Sequence, residues 1–249
     1  MNKAVLMVRD LCKTYPSFYL DHVSFDVEEG AIMGLIGRNG AGKSTTLKSI
    51  LGMVHPDDGA RSVEILGLKY PENEKEVKEQ IGVVIGDSVF YPKKKVKTLT
   101  GVVKRFYKNW DEEKYQHYLK VFEIKEEKKI DELSSGMKVK YLIALALSHD
   151  AKLLILDEPT SGLDPVSRDD LCRLLKALAD SGKCSILFST HITSDLEKCA
   201  SHITFIQNGQ IRYTGTREGF MEHFRDLGST LEDIIVEAER GEGYEDAII

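Results

Sequence analysis

Cysteine pairs are absent from the sequence. Its four cysteines, Cys12, Cys172, Cys184 and Cys199, are widely spaced, form no Cys-x-x-Cys motif and lie in apolar surroundings. This usage is typical of reduced, buried thiols. We therefore expect a cytosolic protein.

Long hydrophobic runs are also missing. The first apolar stretch ends after a few residues at Arg9 and Asp10, so we expect neither a signal peptide nor a membrane anchor. No later stretch approaches the length of a membrane span. If the protein works at a membrane, another chain has to supply the membrane part.

An excess of basic charge is the third missing feature. The chain has 34 basic and 40 acidic residues, well mixed, and a net charge of −6, which excludes an overall electrostatic footprint for nucleic acid. What is present is apolar sequence, 42% of 249 residues, which is enough to bury a full core. One large domain, or one domain with an inserted subdomain, suits this length.

The most informative stretch is GRNGAGKST, Gly37 to Thr45. Two glycines five residues apart, followed by Lys43 and Ser44, fit the phosphate-loop pattern, and an apolar strand and a helix flank the loop as that pattern requires. Backbone N–H groups and the helix N-terminus would converge on a phosphate. Lys43 would then neutralise the anion, and Ser44 would bind Mg²⁺. The alternative is a glycine-rich turn that matches by accident.

Two carboxylates lie at the C-terminal end of a predicted buried strand, Leu153 to Pro159. Because ligands bind at the carboxyl edge of strands in open α/β sheets, Asp157 and Glu158 should lie beside the phosphate loop. Asp157 would bind the metal, and Glu158 would orient or deprotonate an attacking water. His191, at the end of another strand, is either a core histidine or a contact to the γ-phosphate.

The remaining pattern predicts an α/β fold with a P-loop NTPase core and a mainly parallel sheet. The N-terminal strands, Lys3 to Val8 and Val23 to Val27, indicate an antiparallel β subdomain, and the intervening loop contains Tyr15, a candidate for stacking on a purine. Between about residues 88 and 148, apolar residues at helical spacing indicate an inserted α-helical subdomain. Its basic run, Pro92 to Lys97, is interpreted as a solvated loop, with phospholipid or nucleic acid contact as the alternative.

Taken together, these motifs resemble the ATP-binding subunit of an ABC transporter over about residues 3 to 215. GRNGAGKST resembles Walker A, and LLILDE resembles Walker B. LSSGM, at Leu133 to Met137, resembles the ABC signature, and SGLD, at Ser161 to Asp164, resembles the D-loop. His191 resembles the switch histidine, and Tyr15 falls where the family has its adenine-stacking aromatic.

The resemblance implies ATP and Mg²⁺ as ligands, with Glu158 and His191 as catalytic residues and Ser44 and Asp157 on the metal. In this family two ATPase subunits close head to tail, so Ser134 and Gly136 of the signature would act on the nucleotide of a partner. The residues expected to contact nucleotide are Tyr15, Gly37, Asn39, Gly40, Ala41, Gly42, Lys43, Ser44, Thr45, Ser134 and Gly136.

Two departures from the family pattern stand out. Where a glutamine usually ends the strand Ile81 to Ile85, this sequence has Gly86 and Asp87, and Asp87 is the candidate substitute. The signature has Ser135 in place of a glycine and Met137 where glutamine is common, and a side chain at 135 would crowd the phosphate or constrain φ. These changes leave both a homodimer and a heterodimer with another ATPase subunit open.

The leading functional hypothesis is therefore an ATPase that drives separately encoded transmembrane subunits, with export favoured, from the cytoplasmic face of the membrane. A soluble ABC ATPase of translation or DNA repair is the alternative, and a P-loop kinase or GTPase is the third. We expect an ABC-type ATPase domain over residues 1–228 and a helical C-terminal extension over 229–249. No nucleic acid partner is expected.

Overall fold

The computed structural model describes residues 3–57, 62–85 and 91–240, and the account below is confined to them. An antiparallel sheet of four strands has the order β2-β1-β4-β5. Its strands are β1 (Ala4–Tyr15), β2 (Phe18–Glu28), β4 (Ser62–Ile65) and β5 (Leu68–Tyr70). This sheet is the N-terminal antiparallel layer that the sequence predicted.

The first two strands are longer than the sequence indicated. Instead of ending near Val8, β1 continues to Tyr15, so Tyr15 is the last residue of a strand and not part of a loop. Irregular register accompanies left-handed φ values at Asp10 (49°) and His22 (46°), and pairing resumes beyond them. Bulges of this kind let the strands bend while keeping their ladder.

A second sheet of six strands has the order β10-β9-β3-β8-β7-β6. Its strands are β3 (Ile32–Ile36), β6 (Ile81–Ile85), β7 (Leu153–Asp157), β8 (Ser185–Thr190), β9 (His202–Gln207) and β10 (Gln210–Thr216). Five strands are parallel, and β10 returns antiparallel to β9. Every residue of β3, β7 and β8 is buried, as expected for parallel strands covered on both faces.

Alternate residues of the parallel strands pack into two different apolar clusters. Leu154 and Leu156 of β7 belong to the cluster under the helices, whereas Leu153 and Ile155 belong to the cluster under the antiparallel sheet. The parallel sheet is therefore the middle layer of the molecule. Because β3, β7 and β8 run in the same direction, the residues that follow them meet at one edge.

Nine α-helices accompany the sheets in the described residues. They are α1 (Lys43–Ile50), α2 (Glu74–Lys78), α3 (Val96–Val103), α4 (Glu112–Val121), α5 (Ser135–Ser148), α6 (Pro165–Asp180), α7 (Thr193–Cys199), α8 (Arg217–His223) and α9 (Leu231–Arg240). The charged segment Pro71 to Gln80, expected to be a solvated connection, contains α2, and Val77 of that helix is fully buried. None of these helices combines the length and apolarity needed to cross a membrane.

The region between β6 and β7 is helical, with α3, α4 and α5 in succession. A buried hydroxyl cluster joins the three helices, with Thr100 Oγ1 lying 2.7 Å from Tyr115 Oη and 2.8 Å from Tyr141 Oη. Residues 88–90 of the expected subdomain lie outside the described residues. The limits at 88–148 and at 228/229 stay predictions.

The basic run Pro92 to Lys97, expected to be a loop, extends into the first turn of α3 and has acidic partners. Lys95 and Lys97 both pair with Glu127, at 2.7 and 2.6 Å, and Lys93 pairs with Asp131 at 2.7 Å. The two lysine hydrogen bonds lower the pKa of Glu127 to about 2. These exposed pairs add little stability, but they offset much of the local positive charge.

The four cysteines are buried free thiols, which confirms that prediction. Burial raises the pKa of Cys184 to about 11, which disfavours its thiolate.

Candidate functional site

The phosphate-loop stretch lies between β3 and α1. Gly42 is the N-cap of α1 and has a φ of 115°, which L side chains rarely adopt. A Cβ there would also lie 2.9 Å from Cζ of Phe18 and 3.0 Å from Cδ1 of Leu20. Glycine at 42 therefore allows both the turn and the close approach of β2.

Lys43 is almost completely buried, with 5% of its surface exposed. Its Nζ donates hydrogen bonds to the carbonyl oxygens of Gly37 (2.7 Å) and Arg38 (3.2 Å) and lies 3.3 Å from Oε1 of Glu158. The sequence predicts that Lys43 neutralises a bound phosphate. In the structure, two carbonyl groups and one carboxylate of the protein itself already face the ammonium group.

Asp157 is the last residue of β7 and is 6% exposed. Its Oδ1 accepts hydrogen bonds from the hydroxyls of Ser44 (3.0 Å) and Ser189 (2.6 Å). The Ser189 hydroxyl in turn accepts the backbone N–H of Glu158 at 2.9 Å. Carboxylate and hydroxyl oxygens are hard ligands of the kind Mg²⁺ prefers.

Glu158 faces two nitrogen-bearing side chains. Its Oε2 lies 2.7 Å from Nδ1 of His191, while Oε1 faces Lys43. The φ of Glu158 is +50°, an uncommon value for a residue with a side chain. Such strained backbone clusters at functional sites. Since Glu158 is 20% exposed and His191 is 40% exposed, the pair is accessible from solvent.

A cleft of about 670 Å³ opens over these groups, within the usual range of small-molecule sites. Tyr15 lies at one end, 37% exposed, with its ring centroid 6.4 Å from that of Phe18 and 5.8 Å from Nζ of Lys13. The predicted residues that line the cleft are Tyr15, Asn39, Gly40, Gly42, Lys43, Ser44, Thr45, Glu158 and His191.

Three further predicted residues lie just behind the cleft surface. Gly37 binds Lys43 through its carbonyl oxygen, and Asp157 is reached through Ser44. Ala41 is 6% exposed, and its carbonyl oxygen accepts a hydrogen bond from the backbone N–H of Gly209. The structure therefore places these three beside the lining residues.

Ser134 and Gly136 are not among the residues that line this cleft. Ser134 is the exposed N-cap of α5, where its hydroxyl accepts the N–H of Met137 at 3.2 Å. Ser135 begins the helix without the left-handed φ that a glycine position can require. Met137 packs half-buried against the core. Gly86 and Asp87 lie outside the described residues.

Some residues at the site were not identified from the sequence. Pro16, Ser17, Phe18 and Ser161 also line the cleft. Ser161 was within reach of sequence reasoning, because it begins the SGLD stretch. Pro16 and Ser17 form the hairpin turn next to Tyr15, and Phe18 begins β2. The expectation of a long loop hid this tight hairpin.

Asp195 holds the segment that follows Glu158. This fully buried carboxylate accepts hydrogen bonds from Thr160 Oγ1 at 2.6 Å and Thr190 Oγ1 at 3.4 Å, and Arg168 Nε lies 3.9 Å away. The loops after β7 and β8 are thereby joined behind Glu158 and His191. No sequence spacing marked Asp195 for this role, because it lies on a helix, not at a strand end.

Comparisons with known proteins agree on one family. A family model described as "ABC transporter" matches residues 20–161. The bacitracin transport ATP-binding protein BcrA of Bacillus licheniformis is 34% identical over 210 residues, which cover 83% of this chain and 68% of BcrA. The ABC-type transporter ATP-binding protein EcsA of Bacillus subtilis is 33% identical over 242 residues, covering 94% and 96% of the two chains.

Two further comparisons concern function and structure. The Nod factor export ATP-binding protein I of Burkholderia orbicola is 32% identical over 228 residues, covering 89% of this chain and 74% of that protein. A solved ATP-binding subunit of an ABC transporter superposes with a TM-score of 0.81 at 29% identity, covering 94% of this chain and 98% of that one.

Proposed function

The chain belongs to the ABC transporter family as one of its ATP-binding, ATP-hydrolysing subunits, and we propose that it drives separately encoded membrane subunits in the direction of export. The observation that carries the proposal is the common cleft of Tyr15, the phosphate loop, Glu158 and His191. It combines an aromatic platform, a phosphate cradle and a carboxylate–histidine pair in one site. A relative named for Nod factor export favours export.

In the proposed complex, ATP lies along the cleft with its adenine on Tyr15 and its phosphates at the loop. The backbone N–H groups of residues 40 to 45 and the N-terminus of α1 would face the phosphates. The ammonium group of Lys43 would pair with a phosphate in place of its present contact with Glu158. Phosphate binding would thereby release Glu158 for a different partner.

Ser44 of α1 and Asp157 at the end of β7 fit Mg²⁺ as the resident metal. Ser44 Oγ and Asp157 Oδ1 are 3.0 Å apart, both are hard oxygen donors, and Ser189 fixes the carboxylate from behind. When bound, Mg²⁺ would supply charge stabilisation to the β- and γ-phosphate oxygens. Ser44 and Asp157 would hold it, with the carboxylate acting directly or through water.

Hydrolysis is assigned to Glu158 and His191. Glu158 would orient the attacking water and accept its proton, because its carboxylate lies beside the lysine expected at the phosphate end of the cleft. His191 contacts the same carboxylate at 2.7 Å and lines the cleft, so it would hold Glu158 in place and face the γ-phosphate. The positive φ of Glu158 directs its side chain out of the strand alternation that Asp157 follows.

The signature residues are proposed to act on a second ATPase subunit. Ser134 and the exposed N-terminus of α5, a helix of 14 residues, would face the phosphates bound by the partner. A Cβ built on Gly136 would be no closer than 3.4 Å to its nearest neighbour, Ser167 Cβ. Packing inside the chain therefore does not require a glycine at this buried position.

The membrane partner is proposed to dock on the helical region between β6 and β7. Val102 is 50% exposed and Phe106 is 73% exposed, and they lie four residues apart on α3 and the 3₁₀ turn that continues it. Residues at that spacing share one helical face. An exposed apolar pair of this kind suits a protein contact at the cytoplasmic face of the membrane.

Co-purification tests this proposal. The tagged chain, expressed in its own host and recovered from detergent-solubilised membranes, should carry an integral membrane protein of the ABC type. Phe106→Glu should reduce recovery of that protein while ATP binding is kept, and Val236→Glu, on the exposed side of α9, should not. Recovery with ribosomes or DNA and without a membrane protein would support a soluble ABC ATPase of translation or DNA repair instead.

A further inference from the structure

The turn between β9 and β10 contacts both the phosphate loop and β2 of the antiparallel sheet. Its second residue, Gly209, donates its backbone N–H to the carbonyl oxygen of Ala41 in the phosphate loop at 3.0 Å. The carbonyl oxygen of Gly209 accepts the backbone N–H of Asp21 on β2 at 2.9 Å. One peptide segment is thus hydrogen-bonded to the phosphate loop on one side and to the antiparallel sheet on the other.

The approach at this point excludes a side chain. A Cβ at Gly209 would lie 1.9 Å from the carbonyl oxygen of Tyr19 and 3.0 Å from its carbonyl carbon. These are backbone atoms of β2, so the clash cannot be relieved by a rotamer change. The turn therefore inserts its backbone directly against β2, close to the Phe18 end that lines the cleft.

A side-chain contact also joins the first residue of β10, Gln210, to the same strand. Gln210 Nε2 donates to Oδ2 of Asp21 at 2.6 Å, and the other oxygen of Asp21 lies 2.7 Å from Nδ1 of His22. Asp21 is therefore bound through both its backbone and its carboxylate. The turn and β2 are joined by directional contacts at two successive residues.

This connection matters because the aromatic platform and the phosphate loop belong to different sheets. Tyr15 ends β1 and pairs with Phe18 at the start of β2, whereas the loop follows β3 of the parallel sheet. Apolar packing between the sheets is non-directional and leaves small sliding motions inexpensive. Hydrogen bonds through Gly209 fix distance and orientation as well.

We propose that Gly209 is a positioning residue for the nucleotide: it sets the distance between the purine platform at Tyr15 and the phosphate loop. This inference rests on the proposed ATP site and goes beyond it, because Gly209 is not among the residues that line the cleft. A shift of the turn should weaken the binding of a ligand that contacts both Tyr15 and the phosphate loop. It should weaken the binding of a ligand held by the loop alone much less.

The chain contains a matched control for the backbone cost of a substitution. The β4–β5 turn, Leu66–Gly67, has φ values of 54° and 78°, and the Asn208–Gly209 turn has 49° and 81°. Both are two-residue hairpin turns with left-handed φ at both positions. A Cβ at Gly67 would meet no atom within 4 Å. Gly67→Ala therefore carries the same conformational strain as Gly209→Ala without the contact to β2.

The test compares ATP with inorganic tripolyphosphate, both with Mg²⁺, by isothermal titration calorimetry. Gly209→Ala should weaken ATP binding by about tenfold or more, since misplacement on the order of 1 Å at a site has large effects. Its affinity for tripolyphosphate should fall by less than about threefold. Gly67→Ala should leave the affinities for both ligands unchanged. Gln210→Ala, a milder change at an exposed residue, should also lower the ratio of the affinity for ATP to the affinity for tripolyphosphate.

Each outcome is informative. Unchanged ATP binding by Gly209→Ala, or equal losses for ATP and tripolyphosphate, would overturn the positioning role. If circular dichroism shows that Gly209→Ala is unfolded, Gln210→Ala decides, and an unchanged ratio there overturns the proposal. Failure of the unmodified protein to bind ATP would instead overturn the proposed function.

Discussion

At the scale of single residues, Glu158 contacts two other residues with predicted roles at the site. It faces Lys43 through one carboxylate oxygen and His191 through the other. Asp157, its neighbour in the chain, faces Ser44 and Ser189 instead. Adjacent acids thus have separate partners, and the environment of each matches the role assigned to it: metal binding for Asp157 and proton transfer for Glu158.

Glu158→Gln is expected to keep ATP binding and to lower ATP hydrolysis by about 10²-fold or more, because loss of a general base removes a contribution of that size. The substitution keeps the shape of the side chain but removes its basicity. Steady-state phosphate release and equilibrium ATP binding measure the two effects separately. Glu222→Gln, at a side chain that is 74% exposed, is the isosteric control. Near-normal turnover in Glu158→Gln would contradict the base role.

His149 gives the fold a pH dependence that can be isolated. It is 3% exposed, its ring stacks on Tyr107 with centroids 3.7 Å apart, and its Nδ1 has no hydrogen-bond partner in the described residues. Burial lowers the pKa of His149 to about 4 from the ordinary 6.5. The unfolded chain therefore binds a proton more readily than the folded one, and stability falls as the pH drops from 6.5 towards 4.

Linkage converts this shift into a loss of about 2 kcal/mol of unfolding free energy between about pH 8 and about pH 5. His149→Phe keeps a ring against Tyr107 and removes the titration, so its stability should fall by that much less over the same range. Urea unfolding of both proteins at the two pH values measures the difference. Carboxylates that titrate in this range are common to both proteins and cancel. Parallel pH profiles would contradict the assignment.

At the scale of secondary-structure elements, buried parallel strands were predictable because both faces are covered. β6 and β7 are largely apolar runs, and each was predicted within about two residues at its ends. The continuation of β1 past Asp10 was not predictable, since a bulge with left-handed φ leaves no mark in the hydrophobic pattern. α2 was missed for a different reason, because one buried residue, Val77, supports it.

The site divides in the same way. The phosphate loop and the end of β7 carry local sequence patterns, so their residues could be named in advance. Ser189 and Asp195 carry none, because their roles come from the side-by-side pairing of β7 with β8 and from the packing of α7. Such contacts depend on topology and not on spacing within the chain.

Helix α9, within the expected C-terminal extension, packs against the core along one apolar face. Ile234 is fully buried, and Leu231 and Ile235 are nearly so. At its end, the carbonyl oxygen of Ala238 accepts a hydrogen bond from Gln207 at 2.7 Å. This packing makes α9 a contributor to the stability of the ATPase domain.

Ile234→Ala should lower the free energy of unfolding by about 2–5 kcal/mol, the usual cost of removing a buried branched side chain and leaving a cavity. Val236→Ala, on the same helix but 40% exposed, should cost much less. Denaturant midpoints at constant slope report the difference. Similar small losses for both variants would mean that α9 is held loosely and that the cavity cost is not felt.

At the scale of the whole molecule, the described chain holds two separate anion-binding elements. The phosphate loop opens into the cleft, whereas the signature at the start of α5 does not line it. A nucleotide in the cleft would therefore be covered on one side by this chain and need a second chain for the other. The nucleotide bound by the second chain would contact Ser134 at the N-terminus of α5.

ATP-dependent dimerisation tests this arrangement. The Glu158→Gln protein should form a dimer with MgATP, because slow hydrolysis preserves the bound triphosphate, and should remain monomeric with MgADP. Adding Ser134→Arg should prevent the dimer by placing a long side chain at the partner's phosphates, while ATP still binds. Sedimentation gives the mass, and calorimetry gives the binding. A Glu158→Gln protein that binds ATP yet stays monomeric would contradict the homodimer and favour a partner ATPase subunit with a different signature.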